Sequence, residues 1–355
     1  MFYVLEPLET VGSRLDEVLS HRLPGLSKRQ AGRLCQRGMV RNESSGLGKS
    51  GTVLSKGSRI TSPTRIWIDL EKAGIDDRGF PVLTARPPLP KEDIPIWMDT
   101  HLVSVNKPRG LACHANHPGQ QNTLINRILS LIPEHPRAGW PVPLEAGLLN
   151  RIDTYTSGLV LLARDPREFP VLARAVRTES RKKYLLLVCG CPEWDSLGCS
   201  APIHTPGGKR VRVVPDCTAD GVSEDGPPAG SKRPEAAGGK RSAQTEFRVL
   251  ARNTARSIAL VSAELSRGQM HQVRAHAAFL GYPLVGDGLY GGRTDLTWDH
   301  GGETKPVIRH ILHARSVRLR IPEFYPEELE LTAEIPGYFR KLLATYFPDV
   351  PDLNA

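Results

Sequence analysis

The stretch Asn150-Arg151-Ile152-Asp153-Thr154-Tyr155-Thr156-Ser157-Gly158-Leu159-Val160-Leu161-Leu162-Ala163 joins a polar turn carrying one Arg-Asp pair to an uninterrupted apolar run. Thr154, Thr156, Ser157 and Gly158 disfavour a helix, whereas Leu159 to Ala163 has the length and bulk of a buried strand. Asp153 is therefore expected at a strand's edge, where a rigidly held carboxylate can face a cleft. An Arg-Asp dipeptide elsewhere is more often a surface ion pair than a catalytic device, so the pair alone leaves both readings open.

Apolar runs at 102–105, 184–189, 246–250, 257–265 and 311–319 join the one at 159–163 to predict a large mixed sheet interleaved with helices, an α+β organisation. Val273, Ala277 and Leu280 mark one buried helix face, which Gly281 and Pro283 bring to an end. That helix follows the strand ending near Leu265, and its start delivers His271, Gln272 and Arg274 to the sheet edge.

The chain of 355 residues allows two domains, and a hydrophobic content of 39% suffices for packed cores. Met1 to Thr10 carries Glu6 and Glu9 without a basic leader, and no apolar segment reaches membrane-spanning length, so the expected setting is cytoplasmic. The six cysteines, at 35, 113, 189, 191, 199 and 217, are expected to be reduced thiols. Cys189, Cys191, Cys199 and His204 lack the spacing of a common zinc module, and no metal is expected. There is neither a Walker loop nor a dinucleotide fingerprint, and no cofactor is called for.

A formal charge of +9 favours a polyanionic partner, because each lysine or arginine that meets a phosphate releases counterions. Its distribution is informative near the N-terminus. Ser27 can cap a helix in which Ala31, Leu34 and Cys35 form the apolar stripe and Gly38 the stop. Arg29, Arg33 and Arg37 recur on another face, with Lys28 and Arg41 close by. A preceding helix is predicted from Ser13, with Asp16 placed for a capping box and Leu15, Val18, Leu19 and Leu23 inward. By periodicity alone the basic face is equally a solvated surface.

After Ile68 the composition shifts to Gly74, Asp76-Asp77, Gly79, Pro81, Pro87-Pro88 and Pro90, as in an extended tether. The expected organisation is a small domain at 1–75, a linker at 76–93 and a larger domain at 94–350. A stretch from Asp216 to Arg241 is rich in Gly, Pro, Ala, Ser and charge and is read as a mobile insertion between strands.

The segment Asn150 to Gly158 resembles the aspartate motif of RluA-like pseudouridine synthases, His-Arg-Leu-Asp followed by two variable residues and Thr-Ser-Gly. Four further blocks follow the family's order. They are Val103-Ser104-Val105-Asn106-Lys107-Pro108 with Gly110; Lys182-Lys183-Tyr184; Gly268-Gln269-Met270-His271-Gln272-Val273-Arg274 with Gly286-Asp287 and Tyr290-Gly291; and His313-Ala314. Asn150 and Ile152 depart from the usual histidine and leucine, and Gln269 from the usual arginine, for which Arg267 can compensate. Residues around Arg14-Leu15-Asp16, Leu26-Ser27-Lys28-Arg29 and Gly38 to Asn42 resemble a small RNA-binding domain first recognised in a ribosomal small-subunit protein.

The resemblance implies a mainly antiparallel central sheet with flanking helices and a catalytic cleft, preceded by a small α/β RNA-binding domain. It implies an RNA pseudouridine synthase acting on ribosomal RNA. Asp153 is then the nucleophile, Tyr184 stacks on the base, and Arg274 holds the carboxylate through two parallel hydrogen bonds. Arg151, Asn106, Lys107, His271 and Gln272 are implied on the substrate side, and Arg14, Lys28, Arg29, Arg33, Arg37 and Arg41 on RNA. Two other classes make different predictions. A noncatalytic ribosome-assembly protein with this fold would bind RNA without turnover, and a hydrolase using Asp153 would free uracil.

Overall fold

A computed structural model describes residues 2–5, 12–42, 52–55, 57–60, 65–76, 78–87, 94–117, 119–204, 210–213, 243–300, 303–351 and 353. The insertion expected at 216–241 lies outside them. The chain divides into two units, one of Met1–Lys91 with Ala112–Ala146 and one of Glu92–Leu111 with Gly147–Ala355. Among the described residues no helix is long and apolar enough to cross a membrane.

In the first unit, β1 (Phe2–Leu5), β2 (Val40–Asn42) and β3 (Ile66–Asp69) form an antiparallel sheet in the order β1-β3-β2. Its helices are α1 (Leu15–Arg22), α2 (Lys28–Gln36), α3 (Leu70–Ala73) and α4 (Leu124–Leu131). The start of α2 follows from its sequence: Ser27 caps Gln30, whose side chain answers with a bond to the Ser27 N–H. Leu15, Leu19, Leu34, Val40, Ile66 and Ile68 bury together, and each such side chain stabilises by roughly 1.5–3 kcal/mol.

The start of α1 differs from the expectation. Arg14 occupies the cap position without a side-chain cap bond. Asp16 is instead buried and takes two hydrogen bonds from Arg14, at 3.1 and 2.9 Å. Ser13 stands one residue too early to cap, and the adjacent guanidinium offers the carboxylate a charged partner. Residues 78–87, read as tether, have fixed backbone partners within this unit. Val82 donates to the Gly74 carbonyl and Arg86 to that of Asn126, both at 2.8 Å. Main-chain hydrogen bonds of this kind leave little trace in composition.

The second unit is built on a nine-stranded sheet. Its strands are β4 (Ile96–Met98), β5 (Leu102–Lys107), β6 (Ser157–Ala163), β7 (Ser180–Cys189), β8 (Ser196–Cys199), β11 (Thr245–Asn253), β12 (Ile258–Leu265), β15 (Leu312–Leu319) and β16 (Leu329–Thr332). The pairs β9 (Ile203–His204) with β10 (Arg212–Val213), and β13 (Thr297–His300) with β14 (Glu303–Pro306), stand apart from it. The large sheet runs β4-β5-β6-β15-β7-β12-β11-β8, with β16 beside β15. Every pairing in it is antiparallel except β6 with β15. This is the α+β architecture with a mainly antiparallel sheet that the sequence and its resemblance predict.

Strand β7 shows why its sequence lacks alternation. Leu185 and Leu187 point to one core with Ile258, Leu260 and helix α7 (Gly337–Tyr346), whose Phe339 and Leu342 are buried there. Leu186 and Val188 point to the other, with Ala259, Val261, Ala263 and helix α6 (Gln272–Phe279). A strand covered on both faces needs apolar side chains at every position. Helix α5 (Phe169–Thr178) leads directly into β7.

Candidate active site

Asp153 lies in the loop before β6, and several side chains hold that loop. Gly158 has φ +109°, and a Cβ there would overlap the Ala314 backbone. Only glycine therefore admits the close parallel pairing of Ser157 with His313 and Gly158 with Ala314. Asn150 accepts from the Leu161 N–H at 2.7 Å and donates to the Leu159 carbonyl at 3.2 Å. The residue that replaces the family's histidine thus clips the loop's start to its own strand.

Lys107, expected on the substrate side, is fully buried. Its ammonium donates to the carbonyl oxygens of Pro108, Leu111 and Thr154 at 3.0, 2.8 and 3.2 Å. The Gly110 N–H also donates to Thr154, at 2.8 Å. A buried ammonium needs such acceptors to offset its lost hydration, and satisfying them here staples two loops together.

Arg274 stands in the first turn of α6 and donates to Asp153 Oδ2 at 2.7 Å. The two parallel bonds expected for that pair go elsewhere: Nε and the other terminal nitrogen grip Asp287, at 2.7 and 2.8 Å. Asp287 and Arg274 are 1% and 7% exposed, whereas Asp153 is 26% exposed. The buried acid therefore aims the guanidinium, and the accessible one receives its remaining donor. Burial opposes charge on Arg274, but the bonds to Asp287 and the field of Asp153 outweigh it and raise its pKa.

His271 enters α6 with a positive φ of 56°, in the left-handed region that most side chains avoid and histidine enters more readily than most. Its Nε2 lies 3.6 Å from Asp153 Oδ1, and its Nδ1 lies 3.1 Å from the Tyr290 hydroxyl. Burial lowers its pKa and so favours the neutral ring, against the opposing pull of the Asp153 charge. Tyr290 also packs its ring 5.2 Å from the Arg274 guanidinium. Tyr184, in the middle of β7, is half-buried, and burial together with the Asp153 charge raises its phenol's pKa. It stays a neutral ring at ordinary pH.

An open cleft is lined by Arg151, Asp153, Tyr184, His271, Gln272 and Arg274, among others. The fold thus gathers residues from a loop, a central strand and a helix start that are up to 123 positions apart (274 − 151). Besides Lys107, two further residues expected on the substrate side are engaged in bracing. Gln272 is 2% exposed and donates to Gln244 O and Thr245 Oγ1 while accepting from the Gln269 N–H. Asn106 donates to the Glu334 carbonyl at 2.9 Å. Arg151 is exposed at the cleft.

The six basic residues assigned to RNA all belong to the first unit. Arg29 and Arg41 are exposed, Lys28 pairs with Glu17, and Arg14 with Asp16. Arg33 donates to the Asn116 carbonyl at 3.2 Å, and Arg37 lies 2.7 Å from His117 Nδ1. Asp287 and Tyr290 received no role from the sequence, although both stand in the quoted glycine-rich block. An acid directly after a glycine was the available signal.

Residues 101–279 match the family described as RNA pseudouridylate synthase. The chain is 30% identical over 252 residues to the uncharacterized RNA pseudouridine synthase YhcT of Bacillus subtilis, covering 71% of this chain and 72% of that one. It is 27% identical to the ribosomal large subunit pseudouridine synthase D of Zymomonas mobilis, over 92% of each chain. Among solved structures, human RNA pseudouridylate synthase domain containing 4 aligns with a TM-score of 0.48 and 24% identity, over 70% of this chain and 90% of that one. On the strength of the matched residues and the Bacillus relative, the chain belongs to the RNA pseudouridylate synthase family.

Proposed function

We propose that this RNA pseudouridine synthase acts on ribosomal RNA in the cytoplasm, with Asp153 as nucleophile. The name of the Zymomonas relative supports the choice of RNA. The observation that carries the catalytic assignment is the 2.7 Å bond from Arg274 to a carboxylate that stays a quarter exposed in the cleft. An ionised carboxylate can bond to the nucleoside and later leave. Meanwhile the bond between uracil N1 and the sugar breaks, the base turns, and C5 takes the place of N1. The C5 proton departs and N1 gains one, so the reaction is an isomerisation without a redox partner.

Arg274 holds Asp153 in a fixed orientation, and Tyr184 offers its neutral ring to the base. A stacked uridine cannot reach a carboxylate, so the target base flips out of its helix or comes from a loop. Lys28, Arg29, Arg33, Arg37 and Arg41, with Arg14, provide affinity for the RNA backbone from the first unit, which serves as an RNA-binding domain.

With RNA carrying uridine tritiated at C5, the protein should release tritium and retain the base in the chain. Asp153→Ala should abolish release while leaving RNA affinity nearly intact. Release of free uracil would replace this reading with a hydrolase, and binding without tritium release with an assembly protein. Pseudouridine mapping in ribosomal RNA, with and without the protein, identifies the target.

A further inference from the structure

Tyr155 and Arg309 play no part in the chemistry described above, yet they form an unusual pair beside it. Tyr155 stands two residues after Asp153 and is 37% exposed. Arg309, also exposed, holds its guanidinium carbon 4.8 Å from the centre of the Tyr155 ring. Ile308, 58% exposed, precedes it.

The backbone under this pair is clamped from several sides. Arg109 donates to the carbonyl oxygens of Arg309 and His310, at 2.5 and 3.3 Å. Gly286 packs so closely against the Arg309 carbonyl that a Cβ would overlap it. His310 Nε2 lies 3.0 Å from Thr156 Oγ1, and the Thr154 carbonyl accepts from Gly110 and Lys107. Both neighbours of Tyr155 in the chain are therefore fixed, while its ring remains open to solvent. Rigid backbone beneath exposed aromatic and cationic groups is pre-organised for a ligand, since little ordering remains to be done on binding.

We propose that Tyr155 and Arg309 form a platform for the unpaired nucleotide adjoining the target uridine. The base stacks on the Tyr155 ring, and the guanidinium supports the ring and meets the phosphate. This inference rests on the reading of the cleft as the uridine site. Only Thr154 separates Tyr155 from Asp153, a Cα span of at most about 7 Å, which suits the next nucleotide along the strand. Extracting one base also deprives its neighbour of a stacking partner, and an aromatic ring restores that contact without regard to sequence.

The test uses the full chain and a hairpin RNA cut from around the uridine found by mapping, with 2-aminopurine at either flank. In the wild-type complex the fluorescence should be quenched at one flank, and Tyr155→Ala should remove that quenching while Tyr155→Phe keeps it. Tyr155→Ala and Arg309→Ala should each raise KM about tenfold, the scale of one base stacked on an aromatic ring. An abasic site at the quenched flank should raise the wild-type KM equally and leave Tyr155→Ala unaffected. Unquenched 2-aminopurine at both flanks, or an equal further loss for Tyr155→Ala on the abasic hairpin, overturns the platform. A wild-type protein that binds the hairpin with quenching but forms no pseudouridine refutes the uridine-site reading instead.

Discussion

Replacing Asp287 by asparagine removes one negative charge from beneath Arg274 while preserving the side chain's shape. Asp287 accepts two of the three hydrogen bonds that Arg274 gives to carboxylates. An amide can accept only one of the two, and its NH2 group then confronts a guanidinium N–H. Both partners are almost wholly buried, so water cannot repair the loss. Breaking such a pair costs about 3–5 kcal/mol, and the low end applies because Asp153 still balances the charge. The guanidinium should also swing toward Asp153, and a misplacement of about 1 Å lowers turnover on the order of 100-fold. Asp287 does not line the cleft, so KM should change little. Urea denaturation followed by circular dichroism, paired with kcat and KM measurements, reads both effects. Asp287→Glu, which keeps the charge, should fall between. Wild-type stability and kcat in Asp287→Asn would refute the aiming role, and a raised KM with intact kcat would move Asp287 into substrate binding.

Gly158→Ala should lower stability by about 3 kcal/mol or more, because a positive φ and overlap with the Ala314 backbone combine at one residue; a melting temperature equal to wild type would refute the close β6–β15 approach. Burial lowers the pKa of His310 to about 2 and of His313 to about 4. The unfolded chain then binds more protons than the folded one below about pH 6.5, and stability should fall with falling pH by up to about 1.4 kcal/mol per unit for each histidine. His313→Gln should flatten that slope by about one proton between pH 6 and 4 in denaturation series, and an unchanged slope would exclude His313 as a contributor. Charge reversal at Arg29 and Arg33 should weaken RNA binding and flatten its dependence on salt. Identical salt slopes in filter binding would remove that face from the interface.

Much of the second unit was legible in residue order. The six apolar runs all became strands of one sheet; those covered on both faces, such as β6 and β12, tolerate few polar residues, whereas β11 alternates buried with exposed positions. Helix α6 ended at Leu280 and Gly281 as its glycine and spacing predict, and Ser27 capped α2. The turn around Asp153 was readable because threonine, serine and glycine carry local backbone preferences. Residue types could thus place Asp153 at a strand's edge, while Tyr184 and Arg274 were nominated as its partners only by the resemblance of their blocks to the family's motifs.

Hydrogen-bond partners were a different matter. That Arg274 grips Asp287 with two nitrogens and offers Asp153 only one depends on where three separate segments meet. Lys107, expected on the substrate side, turns inward because Thr154, 47 positions later, supplies one of its carbonyl acceptors. Gly158 reads as a turn residue until β15 arrives beside it in parallel, from 156 positions away. Propensity and periodicity act over a turn or a strand and are written in the local residues. The direction of a charged side chain is set by the lowest-energy acceptor within reach, and that acceptor exists only once distant segments have packed.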